Sequence, residues 1–176
     1  GELDTTNRKV YLLFGSTQGL LHVVDSDGVE KFTFAPHEMM QNQKTAFLSA
    51  SSSTLGSANL FYGIDAPWTA HTQYVSKTDG TLTVNNSGRT VKESDDEDEI
   101  ALKGLQWVYG GLRMGGRSYY ALDLFDLDKP SLKFHINPDA AVTAIGAADT
   151  NNALSYMGQS WSKPTLAYVK FGGTKK

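Results

Sequence analysis

The sequence predicts a mainly β fold, a partial β-propeller of about two antiparallel four-stranded blades with one short helix. Residues 20–36 and 118–138 each contain an apolar strand ending in Asp, then a turn, then a strand with the pattern Lys-Phe-x-apolar-x-Pro. A glycine-containing apolar run precedes each unit, at 10–19 and 105–116. Three consecutive antiparallel strands used twice are typical of successive propeller blades.

The two units lie farther apart than neighbouring blades usually do. Their equivalent residues Asp25 and Asp123 are 98 positions apart, about twice the ~40–50 residues of one blade. We therefore expect an insertion between the units. Eight residues of the two units are expected to be largely buried: Leu12, Phe14, Leu21, Val23, Phe32, Tyr119, Ala121 and Phe134.

The first blade is assigned to about residues 9–36. Its strands are placed at 9–15, 20–25 and 30–34. The continuous apolar run of the first strand is typical of a strand buried on both faces. The turn at 16–19 leads into the second strand, and Asp27-Gly28 predicts a hairpin because glycine tolerates a positive φ. Pro36 ends the third strand.

Residues 37–60 are assigned to a helical insertion. Good helix formers lie between Met39, Met40, Phe47 and Leu48, and this pattern predicts one short helix over 37–48. The following SSSTLGSAN is a loop by composition.

The second blade is assigned to about residues 61–138. Residues 61–75 return to β-forming residues, and Pro67 forces a break or an edge position there. Further strands are placed at 105–110, 117–124 and 132–136. Turn signals around Gly80 and Gly88 predict a projecting, mobile hairpin over 76–99. Its polar residues bury too little apolar area to offset their ordering entropy.

The tail, residues 159–176, is assigned to the start of a third blade, with a strand at 164–171. The segment 139–157 has no clear period and predicts a loop with one weak helical turn. Because a strand without neighbours exposes unpaired backbone groups, we expect the tail strand either to fold back on the first blade or to pair with another molecule. On this interpretation the chain is not self-contained at its ends.

Composition excludes several functional classes. The net charge is −3 without a basic stripe, which argues against a nucleic-acid partner. The absence of cysteine excludes disulfides, thiolate metal sites and cysteine nucleophiles. No apolar run approaches the ~18 residues of a transmembrane helix.

The carboxylates are interpreted as parts of turns and of a solvated hairpin tip. The acidic run 93–99 lacks the alternating pattern of a calcium loop, so any calcium binding there is expected only in the millimolar range. The DSDG sequence at 25–28 has Val29 where a third ligand would come. A turn between blade strands likewise accounts for Asp123, Asp126 and Asp128.

Other chemistry-bearing residues show no catalytic arrangement, and we assign no catalytic, cofactor-binding or metal-binding residue. The histidines have no ligand spacing and the serines no nucleophile-elbow context. The glycines of residues 110–118 are expected to permit a tight turn and close backbone approach at a blade centre. The tryptophans are expected to pack between sheets, or to make a contact where one is exposed. These residues are His22, His37, His71 and His135; Ser16, Ser118 and Ser160; and Trp68, Trp107 and Trp161.

Four stretches in order resemble the C-terminal propeller of the PilC/PilY family, which comprises large type IV pilus biogenesis and adhesion proteins of Gram-negative bacteria. They are GSTQGLLHVVDSDGVEKFTFAP, YGIDAPWT, VYGGLRMGGRSYYALDLFDLDKPSLKF and GQSWSKPTLAYV. The most distinctive is Gly110 to Asp123. The insertion 76–99 departs from the family pattern.

The resemblance implies a non-enzymatic propeller segment, associated with pili at the periplasm, outer membrane or cell surface. It would support pilus extension by opposing retraction and contribute to surface attachment. Its partners would be pilus subunits or minor pilins and, in some members, the host-cell surface. Some members bind calcium through a D-x-D-x-D-type loop. No such loop occurs here, so we expect no cofactor in this segment, and calcium only elsewhere in the full-length protein.

The alternative is a fragment of a quinoprotein dehydrogenase of the pyrroloquinoline-quinone type. Residues 10–32 look like one of its blades. Against it, both units end in Phe or Ile where a Trp would dock, and no vicinal cysteine pair is present.

Overall fold

A computed structural model of the chain describes residues 8–44, 61–77, 79–84, 89–91, 100–138, 142–144, 147–148, 153–172 and 174–175. These ranges contain one α-helix, α1 (His37–Asn42), and 3-10 turns at Arg113–Gly115 and Ala153–Tyr156. The strands are β1 (Tyr11–Gly15), β2 (Leu21–Asp25), β3 (Glu30–Phe34), β4 (Thr69–Gln73), β5 (Val75–Ser76), β6 (Leu82–Thr83), β7 (Arg89–Val91), β8 (Ile100–Leu102), β9 (Leu105–Gly111), β10 (Tyr119–Asp123), β11 (Ser131–Ile136), β12 (Val142–Ala144), β13 (Ala147–Ala148), β14 (Lys170–Phe171) and β15 (Thr174–Lys175). The prediction of a mainly β fold with one short helix is confirmed. No helix among the described residues is long and apolar enough to cross a membrane.

The first sheet is the three-stranded antiparallel meander β1-β2-β3. Its two turns use glycine as the sequence predicts. Gly19 has φ 89° and Gly28 has φ 79°, which are values that other residues rarely adopt. The Gly28 N–H donates to the Asp25 carbonyl at 3.1 Å, and the Asp25 N–H donates to the Val29 carbonyl at 3.0 Å. These bonds close the hairpin.

The second sheet has four antiparallel strands in the order β11-β10-β9-β4. Strands β9, β10 and β11 repeat the meander of β1, β2 and β3, and β4 adds the strand that the first sheet lacks. The 31 residues between β4 and β9, residues 74–104, are the insertion that the long repeat spacing predicts. One sheet of three strands and one of four fit a partial propeller.

Both sheets carry a β-bulge at the equivalent place. The register shifts at 23–24 where β2 meets β3, and at 121–122 where β10 meets β11. Lys31 and Lys133 are the extra, unpaired residues of these bulges. Because a bulge redirects a side chain relative to strict alternation, both lysines turn back toward the aspartate at the end of the preceding strand. The bulge in each sheet therefore explains why the two units share an Asp at the end of one strand and a Lys in the next.

One apolar core joins the two sheets. The Phe34 ring of β3 meets the Tyr120 ring of β10 edge to face, with centroids 5.3 Å apart. The buried members of the core are Leu21, Val23, Met39, Ile64, Val108, Leu112, Tyr120, Leu122 and Leu124, with Leu13, Phe32, Phe34, Trp68 and Leu127 packed against them. Burying each large side chain contributes about 1.5–3 kcal/mol. We call the sheet faces that meet here the inner faces and the opposite ones the outer faces.

The burial prediction is right for part of its set. Leu21, Val23 and Ala121 are buried, and Phe32 and Tyr119 are half-buried.

It is wrong for Leu12, Phe14 and Phe134, which are 60%, 47% and 46% exposed. Alternation along a strand places Leu12 and Phe14 on the outer face of the first sheet and Phe134 on that of the second. The apolar run at 9–15 is therefore covered on one face only.

The insertion contains two short ribbons instead of one hairpin. Strand β5 pairs with β6 around a turn at 77–81, and β7 pairs with β8. Val75 is buried. The acidic run 93–99 lies outside the described residues, and the mobility expected of the insertion stays a prediction.

The helix and the tail differ from their predicted extents. Helix α1 ends at Asn42, and residues 45–48 of the predicted helix lie outside the described residues. The predicted strand 164–171 is wrong, because only β14 within it pairs, with β15. The Thr69 hydroxyl donates to the Pro164 carbonyl at 2.6 Å, so the tail contacts the second sheet near its β4 edge. It does not complete the first sheet, which keeps three strands in the described structure.

Candidate interaction surface

The glycine-rich segment 110–118 is where the chain comes closest to itself. A Cβ on Gly110 would overlap the Trp68 ring, and one on Gly115 would overlap the Gly63 carbonyl. A Cβ on Gly111 would lie 2.7 Å from the Ser160 side chain. The expectation that these glycines allow close backbone approach is confirmed.

Glu38 fixes the end of this segment. It lies in the first turn of α1, is 4% exposed, and its two carboxylate oxygens accept hydrogen bonds from the backbone N–H groups of Arg117 and Ser118, each at 2.9 Å. The helix begins after Pro36, whose fixed φ suits the residue preceding a first turn. Sequence reasoning missed Glu38, because nothing near it in the sequence shows that its partners are about 80 residues away.

Two further buried polar side chains tie loops together. Ser160 accepts from the Leu112 N–H at 2.7 Å and donates to the Gly116 carbonyl at 3.1 Å. Gln43 accepts from the Gly63 N–H at 2.8 Å and donates to a loop carbonyl of the first sheet. The polar atoms of both side chains bond to backbone groups of the chain itself, so they hold the loops together.

The bulge lysines form equivalent clusters in the two sheets. Lys31 Nζ lies 2.9 Å from Asp25 Oδ2. Lys133 Nζ lies 4.0 Å from Asp123 Oδ2 and 3.8 Å from the centroid of the Trp107 ring. The Trp107 indole N–H also donates to Asp123 at 2.9 Å.

The aspartates of these clusters serve as turn acceptors. The Asp25 carboxylate accepts from the Lys31 ammonium and from the backbone N–H groups of Val29 and Asp27, and these bonds lower its pKa. The hydrogen bond and charge of Asp25 raise the pKa of Lys31 in turn. Asp126 accepts from the Asp128 N–H at 3.0 Å. The predicted turn role is confirmed for Asp25 and Asp126. The described residues hold no group of three His, Asp or Glu side chains able to bind a metal ion.

The histidines are dispersed over the two sheets and the helix. The His22 ring stacks on Phe14 with centroids 5.3 Å apart and pairs with Glu30 at 2.8 Å. His135 stacks on Tyr120 with centroids 4.2 Å apart. Burial lowers the pKa of His135, which favours a neutral aromatic member of the sheet. His71 meets the Trp107 ring edge to face, and His37 begins α1 and is exposed.

Arg113 is the one strained residue of the glycine-rich segment. Its φ of 52° lies in the left-handed region that non-glycine residues rarely adopt. Its guanidinium lies 5.5 Å from the centroid of the Trp161 ring and 3.7 Å from Asp65. Trp161 is 51% exposed, so of the three tryptophans it is the one at the surface. We call Arg113, Trp161 and Asp65 the Arg-Trp patch.

Among the three serines, Ser160 adjoins the Arg-Trp patch, because its carbonyl accepts from the Arg113 N–H at 3.3 Å. Ser160 and Ser118 are buried, and Ser16 closes the first turn of the first sheet. An open groove of about 460 Å³ lies beside it, lined by Leu13, Phe14, Gly15, Ile64, Asp65, Ala66, Pro67, Trp68 and Ala70. A strained backbone that presents an arginine and an exposed tryptophan is an arrangement suited to protein recognition.

Comparisons with known proteins give one structural likeness to report. No protein-family model matches the chain, and no curated protein matches it. The solved structure of the C-terminal domain of PilY1 from Pseudomonas aeruginosa is similar to the chain at 24% sequence identity, with a TM-score of 0.40. The match covers 74% of this chain and 19% of that chain.

Proposed function

We propose that the chain is a segment of a non-enzymatic, pilus-associated propeller that supports type IV pilus extension and surface attachment. The sequence resemblance described above supports this, and its most distinctive stretch, Gly110 to Asp123, is the part of the molecule where the two sheets, α1 and the tail meet. The proposed location is the periplasm, outer membrane or cell surface. The proposed partners are pilus subunits or minor pilins, and a host-cell surface is a further candidate.

The Arg-Trp patch is the proposed contact with the pilus. Tryptophan and arginine are enriched among the residues that dominate binding energy at protein interfaces. Holding Arg113 in a left-handed conformation costs on the order of 1 kcal/mol or more, and a glycine at that position would avoid the cost. The strained arginine is therefore the observation on which this contact depends.

The proposal includes no enzymatic activity, no organic cofactor and no calcium site in this segment. The quinoprotein alternative places a quinone and calcium in the fold. Titration of the chain with pyrroloquinoline quinone and calcium, followed by absorbance and fluorescence, separates the two. Saturable quinone binding would favour the enzyme.

Binding to pili should depend on the Arg-Trp patch. We expect the purified chain to bind immobilised type IV pili saturably, and Trp161→Ala and Arg113→Gly each to weaken binding at least about tenfold, or 1.4 kcal/mol. Biolayer interferometry measures this. Arg113→Gly suits the 52° φ, so its unfolding midpoint should equal or exceed that of the unchanged chain.

Tyr74→Ala is the matched control, because Tyr74 is an aromatic residue 60% exposed and lies in the insertion. It should bind pili as the unchanged chain does. Equal binding by all four proteins would contradict the contact at the patch, and no saturable binding by any of them would contradict the proposed function.

A further inference from the structure

In the part of the chain that the structure describes, the outer faces of both sheets expose apolar side chains. Leu12 and Phe14 lie on the outer face of the first sheet, and Phe134 and Ile136 on that of the second, where Ile136 is 36% exposed. Exposed apolar patches formed by neighbouring side chains mark interaction sites on soluble domains. The tail crosses one end of the second face, where the Tyr119 hydroxyl contacts the Ser162 backbone and the Thr69 hydroxyl donates to the Pro164 carbonyl.

The repeat relates each outer face to an inner face. Strand pairing aligns Tyr11 with Asp25 and Trp107 with Asp123, and this sets the equivalence of all positions in the two sheets. The inner face of the first sheet (Leu13, Leu21, Val23, Phe32, Phe34) corresponds to the outer face of the second (Tyr109, Tyr119, Ala121, Phe134, Ile136). The outer face of the first sheet (Leu12, His22, Val24, Thr33) corresponds to the inner face of the second (Val108, Tyr120, Leu122, His135).

The core of the chain is therefore a head-to-tail contact between two repeats, of the kind called heterologous. In the core, the inner face of the first sheet packs on the inner face of the second. The outer face of the second sheet is equivalent to the former, and the outer face of the first sheet is equivalent to the latter. These two outer faces can therefore pack on each other in the same way. We propose that copies of this chain associate head to tail, the outer face of the second sheet of one copy packing on the outer face of the first sheet of the next.

The side chains at the two faces support this pairing. The second face presents the Tyr109 and Phe134 rings, with centroids 6.2 Å apart. The equivalent positions on the inner face of the first sheet are Leu13 and Phe32. The first face presents the stacked Phe14 and His22 rings. His22 occupies the position equivalent to that of Tyr120, which packs in the core. The second face thus offers an aromatic and aliphatic surface. The first offers one in which the Glu30 carboxylate is paired with His22. This inference does not depend on the proposed function.

Self-association should rise with concentration and require both faces. In sedimentation velocity from about 1 to about 100 µM, we expect the unchanged chain to shift from monomer to dimer and larger species. Leu12→Glu alters only the first face, and Phe134→Glu only the second. Each variant alone should be monomeric over the same range, with self-association weakened at least about tenfold.

Mixing the two variants gives the sharper test. A Leu12→Glu chain keeps its second face and a Phe134→Glu chain keeps its first face, so the mixture should form a one-to-one dimer and nothing larger. Leu82→Glu alters a leucine that is 45% exposed elsewhere and should associate like the unchanged chain. Ile136→Lys serves as a second variant of the second face if Phe134→Glu lowers the unfolding midpoint.

Three outcomes would overturn the proposal. If the chain stayed monomeric at the highest concentration, the two outer faces would not bind each other. Variants that are monomeric and fail to associate on mixing would indicate a symmetric contact. Association that persists in both single variants would place the contact on another surface.

Discussion

Gly115→Ala should destabilise the chain by about 3 kcal/mol or more, at the upper end of the range for overpacked sites. The added methyl group would overlap the Gly63 carbonyl oxygen. That oxygen is a backbone atom and the methyl position is fixed by the Gly115 backbone, so neither can rotate away. The segment carrying Gly63 would have to move, and with it the Gln43 and Ser16 bonds that hold it. Thermal unfolding followed by circular dichroism should show a fall in Tm of about 10 °C for a domain of this size.

Gly158→Ala is the matched control. A Cβ on Gly158 meets nothing within 4 Å, and its φ is not in the left-handed region, so the change in stability should stay within about 0.5 kcal/mol. Similar Tm values for the two variants would contradict the close approach of the glycine-rich segment to Gly63.

Glu38→Ala should cost about 3–5 kcal/mol, because the buried N–H of Ser118 and the partly buried N–H of Arg117 lose their acceptors. Each such loss costs about 1–3 kcal/mol. Helix α1 would also lose its link to the glycine-rich segment. Denaturant unfolding gives the change in the free energy of unfolding.

Glu38→Gln tests whether both oxygens matter. The amide keeps one acceptor but turns an NH₂ group toward the second N–H, so its loss should be smaller than that of Glu38→Ala and still clear. Glu30→Ala removes an exposed glutamate that pairs with His22 at the surface, and its midpoint should hardly change. If Glu38→Ala behaved like Glu30→Ala, the carboxylate could not be the joint between the helix and the second sheet.

Local signals were sufficient to predict most of the strands. The Asp27-Gly28 turn, the Asp25 and Asp123 strand ends, and the lysines that follow them are set by short-range chemistry, and the structure has both hairpins and both bulges. The four strands of the second sheet follow from the same repeat once the insertion is recognised.

Long-range packing could not be predicted in the same way. An apolar run such as residues 9–15 indicates a strand, but it does not show which face another sheet covers, so the exposure of Leu12 was missed. The tail has β-forming residues at 164–171 and yet binds the second sheet through Pro164 instead of pairing there. Glu38 and Ser160 became visible only when the fold brought them to their backbone partners.

Native-state hydrogen exchange tests the central claim, that the two repeats form one cooperative unit around a shared core. The amides of β2 and β10 should exchange through the same opening, with equal free energies and equal dependence on denaturant. They should respond alike to Glu38→Gln. Exchange of β2 through a lower-energy opening that leaves β10 protected would show that the sheets fold separately, and would contradict the account.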